Sequence, residues 1–197
     1  MPAERGRMTE GLPRRAMRTT LVWMAVLVAL FVAAWIWNGS TKYSSPTAQL
    51  VSLWLGLALI ALSAIDLDRY LLPDWLTLPL IVSGVIWAGV LQGAILMSTL
   101  GAVIGYGAIA GLGWAWQKWR GEWGIGLGDA KLLAALGAWL GVLNLPFLLL
   151  VASGIGLVIA GSVRIATRGT NSKFVLPFGP FLCVSGWLIW CAPKISV

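Results

Sequence analysis

Residues 47–75, TAQLVSLWLGLALIALSAIDLDRYLLPDW, decide how this chain is read. Nineteen residues, 47–65, are almost wholly apolar, close to the roughly 20 that an α-helix needs to cross a bilayer. The run stops at Asp66, with Asp68, Pro73 and Asp74 just beyond. A carboxylate that abuts an apolar helix is costly in lipid, so it is normally kept for function. Working outward, 59% of the 197 residues are hydrophobic and 11% charged. That balance excludes disorder and an ordinary soluble domain. Long continuous apolar runs, not short alternating ones, exclude a β-barrel. The fold class is an all-α polytopic membrane protein, its backbone groups bonded within each helix.

Six further runs accompany 47–65. They cover residues 20–37, 75–91, 97–116, 130–143, 145–163 and 178–190, giving a bundle of about seven transmembrane helices. Residues 1–19 form a basic N-terminal segment. Residues 20–197 read as one transmembrane domain with no linker or repeat.

Charge tests that topology. With the N-terminus in the cytoplasm, Arg5, Arg7, Arg14, Arg15, Arg18, Arg69, Lys118, Arg120, Lys131, Arg164, Arg168 and Lys173 all fall on the cytoplasmic side. Only Lys42 and Lys194 fall outside, so the 14 basic residues divide 12 to 2. This is the positive-inside pattern, and it accounts for the net charge of +7 without nucleic acid. All seven acids fall on the cytoplasmic side as well. Two runs separate Asp66 from Asp129, and an even number of crossings returns the chain to the same face. The two aspartates can therefore meet.

The second aspartate lies in Gly124-Ile125-Gly126-Leu127-Gly128-Asp129-Ala130-Lys131. Glycines permit positive φ and close approach of another helix, which would let Asp129 reach a second carboxylate. A phosphate loop is disfavoured, because Asp129 would repel an anion and no Gly-Lys-Ser/Thr follows. In the first motif, Pro73 breaks the backbone before the third run. Asp74 reads as that helix's N-cap, and Pro79 as a residue of its first turns.

Histidine is absent, which removes Ser-His-Asp and Cys-His catalysis and His-Glu-x-x-His metal sites. The two cysteines, Cys183 and Cys191, form no Cys-x-x-Cys pair and read as buried apolar residues, so no metal is implied. Most of the 13 tryptophans lie at run ends (Trp75, Trp114, Trp116, Trp119, Trp187 and Trp190 among them), as interfacial anchors in membrane lipid. The remaining hydrolytic chemistry is a carboxylate pair. Two acids a few ångströms apart share one proton. The ionised one activates a water, while the protonated one polarises the scissile carbonyl. Sequence does not assign the two roles.

At these residues the chain resembles the type IV prepilin peptidases, membrane aspartyl proteases of the Gly-x-Gly-Asp type. The stretch from Ile65 to Pro79 is similar to that family's first aspartate box, and Gly126 to Gly141 to its second. Pro177-Phe178-Gly179-Pro180-Phe181 resembles a third segment. The resemblance covers roughly residues 48–192. It implies cleavage of leader peptides from type IV prepilins or type II secretion pseudopilins, at the cytoplasmic face of the bacterial inner membrane. Cleavage would fall after a glycine that precedes a hydrophobic helix. Asp66 and Asp129 would be the catalytic pair, with Asp68, Pro73, Asp74, Gly126, Gly128 and Lys131 as supporting positions. No cofactor is implied. Many members also carry a cytoplasmic insert with Cys-x-x-Cys motifs and methylate the new N-terminus. Those motifs are absent here, so the expectation is a peptidase without the methylating half. Asp68, Asp74 or Glu122 could pair with a basic residue of the leader. A presenilin-like protease is the nearest alternative, but it carries Tyr-Asp where this chain has Ile65-Asp66. A proton-coupled transporter would place its acids deep within spans.

Overall fold

The computed structural model describes residues 46–121, 126–166 and 177–192. The basic segment 1–19, the first run 20–37, Glu122 and Gly124 lie outside the described residues. Within them the fold is all-helical. Helix α1 is Pro46–Arg69, α2 is Asp74–Gly84, α3 is Ile95–Arg120, α4 is Leu127–Leu140, α5 is Leu145–Ala166 and α6 is Gly179–Cys191. Beyond α2 the chain widens into a π-helical stretch, Val85–Leu91, and turns through Gly93 at φ 70°.

Three helical stretches are long and apolar enough to cross a membrane: Pro46–Arg69, Ile95–Arg120 and Val142–Ser162, of 24, 26 and 21 residues. The other helices are shorter. Helix α4 starts at Leu127, so Asp129 falls inside its first turn, not ahead of it as the run 130–143 suggests. The helix closes at Gly141, whose φ of 81° suits a residue without a side chain.

Helix α4 is the centre of the bundle. Residues 132–139 are all buried, as expected of a helix apolar on every side. Helices α2, α3 and α6 pack around it. The α3–α4 contact is the closest, because glycines face each other there. A Cβ on Gly101 would collide with the Gly137 carbonyl oxygen, and one on Gly137 with that of Gly101. One turn along, a Cβ on Gly105 would stand 2.7 Å from the Leu133 carbonyl oxygen. Small residues are how membrane helices approach each other when lipid supplies no hydrophobic drive. The Ser98 hydroxyl adds a 2.7 Å hydrogen bond to the Ala138 carbonyl.

Tryptophan reports where sequence reading needs correction. Trp75, Trp114, Trp116 and Trp119 are exposed, as anchors should be. Trp187 and Trp190 are buried instead. The Trp190 ring meets Trp139 edge-on at 5.6 Å, and its N–H donates to the Ser52 hydroxyl at 3.1 Å. They lie near the end of a short helix packed against α1 and α4, so position in the run did not indicate environment. Apolar side chains such as Leu50, Leu57, Val103, Leu112, Leu150 and Leu157 point outward from the three long helices. This is the surface a lipid-embedded bundle requires.

Candidate active site

Helix α1 carries Asp66 in its last turn, and Asp66 is only 5% exposed. The chain leaves α1 through Tyr70, whose φ of 54° is left-handed. Its N–H closes the helix on the Asp66 carbonyl at 2.9 Å. A bulky residue in that conformation costs roughly 1–2 kcal/mol, so the sharp exit is held by the contacts that follow. Pro73, extended at φ −73° and ψ 135°, is the N-cap residue of α2. Asp74 is thus the first helical residue and makes no capping bond. Its carboxylate instead accepts a 2.5 Å charge-assisted bond from the Lys131 ammonium of α4. A proline cap leaves no side chain to cap with, and a cation within reach is the stronger partner. Pro79 sits inside α2 as expected.

Asp129 occupies the first turn of α4, where the helix dipole favours a carboxylate. This turn precedes the apolar run from Ala130 and lies outside the three long spans. Burial first, and then the negative charge of Asp66, push the Asp129 carboxyl up to about 6. The two carboxylates therefore sense each other. Both charges also reach Cys183, one turn into α6, which lies fully buried beside Ser63. Cys183 is buried and Cys191 half-buried.

The start of α6 is the element that sequence reading underrated. The Gly179 N–H donates to Asp66 Oδ2 at 3.1 Å. A Cβ at position 179 would stand 2.5 Å from that oxygen and 3.0 Å from the Asp66 carboxyl carbon, so any larger residue requires the buried carboxylate or α6 to shift. The Pro-Phe-Gly-Pro-Phe segment was the available signal. No charged or nucleophilic side chain in it marked a role, since the acting group is a backbone amide.

Of the two described glycines before Asp129, Gly128 serves the close approach expected of it and Gly126 neither that nor positive φ. Gly126 has φ −69°, and a Cβ on it would make only an ordinary 3.8 Å contact with Asp129 Oδ2. Gly128 serves close approach: a Cβ there would meet Leu72 at 3.1 Å. Among the described glycines, positive φ falls at Gly93, Gly121 and Gly141 instead. Asp68 is exposed beside Arg69, 3.8 Å away, at the C-terminal end of α1. The structure thus brings together Asp66, Asp129 and Gly179 on one side, and Asp74, Lys131, Leu72 and Gly128 on the other. It leaves Asp68 and Gly126 peripheral. No group of three or more metal-binding side chains occurs among the described residues.

Fold and site together define a helical membrane-type chain with two carboxylates gathered at one end of a helix bundle. The model of the type IV leader peptidase family matches residues 50–161, and the chain belongs to that family. It is 44% identical over 145 residues to a prepilin leader peptidase/N-methyltransferase of Aeromonas salmonicida, covering 72% of this chain and 49% of that protein. The protein of that name from Neisseria gonorrhoeae is 39% identical over 191 residues, covering 95% and 62%. The one from Pseudomonas aeruginosa is 40% identical over 146 residues, covering 73% and 49%. The chain thus spans about half the length of the curated relatives it matches. No solved structure matches it.

Proposed function

We propose that this chain is a membrane aspartyl endopeptidase that removes leader peptides from type IV prepilins or type II secretion pseudopilins. The observation that carries this reading is that Asp66, in the last turn of α1, and Asp129, in the first turn of α4, come from different motifs and lie within electrostatic reach of each other. A carboxylate pair holding one proton has both functions that amide hydrolysis needs. One member takes a proton from water as it attacks the carbonyl carbon. The other donates to the carbonyl oxygen, and the proton then passes to the leaving amine. The Gly179 amide holds Asp66 in one orientation for this exchange.

The family match favours this substrate class over that of a presenilin-like protease. A transporter reading has less support, because Asp66 lies in the last turn of α1 and Asp129 in the first turn of α4, not at mid-helix. The charge asymmetry supports an N-terminus in the cytoplasm, about seven spans, and an active site facing the cytoplasm from the bacterial inner membrane. In this topology α2 leaves the site and α3 returns the chain to it. Reporter fusions after residues 42 and 121 test the two faces.

The test of the reaction is cleavage of a prepilin precursor in membranes. Asp66→Asn and Asp129→Asn are each expected to abolish cleavage while inserting at wild-type levels. Wild-type cleavage by either variant refutes the assignment.

A further inference from the structure

The loop between α1 and α2 touches the Asp129-bearing turn at two independent points. Leu72, buried, lies on the bare backbone of Gly128, one residue before Asp129. Asp74 grips Lys131, two residues after it. The two contacts bracket Asp129 in sequence. They come from a loop whose entry is fixed by the left-handed Tyr70, four residues after Asp66. So one short segment leads directly from the first aspartate to both flanks of the second. The ion pair is too exposed to add much stability, its side chains being 29% and 58% accessible. Its effect is geometric.

We propose that residues 70–74 form a clasp that sets the position of Asp129 relative to Asp66, with Asp74 and Lys131 as positioning residues for cleavage. The inference rests on the reading of those two aspartates as the catalytic pair. It also reassigns Asp74. A carboxylate already held by Lys131 is not a free docking point for the basic residue of a leader.

Positioning and leader recognition predict different kinetics. If the clasp positions Asp129, Asp74→Asn and Lys131→Gln each lower kcat about tenfold, as expected for a catalytic group displaced by well under 1 Å. KM stays within about twofold, and the fractional loss is the same for precursors with and without a basic residue before the cleavage glycine. The exchanged pair, Asp74→Lys with Lys131→Asp, regains most of the lost kcat. Raising the salt to about 1 M narrows the gap between wild type and single variants, because the pair is partly exposed.

A second readout is independent of cleavage. Nitroxide labels on Leu67→Cys and Leu127→Cys, in a Cys191→Ser background, report the distance between the two aspartate-bearing turns. The distance distribution is expected to broaden in Lys131→Gln and sharpen again in the exchanged pair. The clasp is overturned if the single variants match wild type in both readouts. It is also overturned if their loss is a KM effect confined to basic precursors, or if the exchange restores nothing. Failure of the wild type to cleave any prepilin precursor would instead sink the proposed reaction, and the label distances would still decide the clasp.

Discussion

Gly179→Ala is the smallest change that tests the site's geometry. The added methyl carbon would stand 2.5 Å from Asp66 Oδ2, whereas ordinary contact begins near 3.4 Å. The two groups must separate by the difference, 3.4 − 2.5, or 0.9 Å. Asp66 is buried, with no solvent side to retreat toward. Retreat from the methyl carbon is oblique to the N–H···Oδ2 line, so the present 3.1 Å bond stretches by about two thirds of that displacement, beyond hydrogen-bonding range. A hydrogen bond to a charged group contributes about 1.5–3 kcal/mol. A misplacement near 1 Å costs about 100-fold in rate, or about 2.7 kcal/mol of barrier. Both routes give the same order, so kcat for precursor cleavage is expected to fall about 100-fold with KM little changed. Alanine is a good helix residue, so α6 still forms and the purified variant should keep its helicity. Two other glycines have more room. Gly128→Ala, whose Cβ would meet Leu72 at 3.1 Å, is expected to lose about tenfold or less. Gly126→Ala, with only a 3.8 Å contact, is expected to cleave at nearly the wild-type rate, although it belongs to the Gly-x-Gly-Asp motif. Single-turnover assays on one precursor measure all three. Gly179→Ala within about threefold of wild type, or a reversed order, would refute the reasoning.

Three further outcomes follow from the packing and charge. Asp129, raised from 3.8 to about 6, holds its proton more tightly when folded than when unfolded. Its stabilising contribution is complete below the ordinary carboxylate value and is lost as pH rises through about 6. Thermal unfolding in detergent should therefore decline from about pH 4 to about pH 7 in wild type and more weakly in Asp129→Asn; parallel curves would rule this out. Gly137→Leu drives a side chain into the Gly101 carbonyl and should lower the unfolding temperature sharply, through overpacking of at least about 1–3 kcal/mol. An unchanged melt would mean that α3 and α4 do not meet there. Trp139→Phe removes a buried 2.8 Å bond to the Leu80 carbonyl. It should cost about 1–3 kcal/mol of stability in the same assay, with kcat per folded molecule preserved.

Much of the candidate site was legible because its cost was legible. A carboxylate beside an apolar run has to be explained, so Asp66 and Asp129 stood out in the sequence before any geometry was known. The described helices fall on the apolar runs, with ends that differ by up to four residues (α1 continues to Arg69 and α3 to Arg120), and Pro73 and Pro79 fell where backbone chemistry puts them. What stayed hidden shares one cause: it depends on which surfaces meet. Trp187 and Trp190 read as interfacial because they end a run, yet they meet α1 and α4. Asp74 read as a cap because it precedes a helix, yet it meets Lys131.

The glycines make the same point about motifs. Gly126 and Gly128 look equivalent on paper, spaced evenly before Asp129. In the fold, Gly128 is needed because Leu72 lies against it, while Gly126 could carry a methyl group. Gly179, 50 residues further along in a segment without acids, bases or nucleophiles, has less room than either. A glycine's role is set by the atom nearest its absent Cβ, and that atom belongs to another part of the chain. For Gly179 it is the carboxylate oxygen of Asp66. The third segment therefore acts through what it leaves out: with no side chain at position 179, the start of α6 can bring a backbone amide against a carboxylate buried at the end of α1.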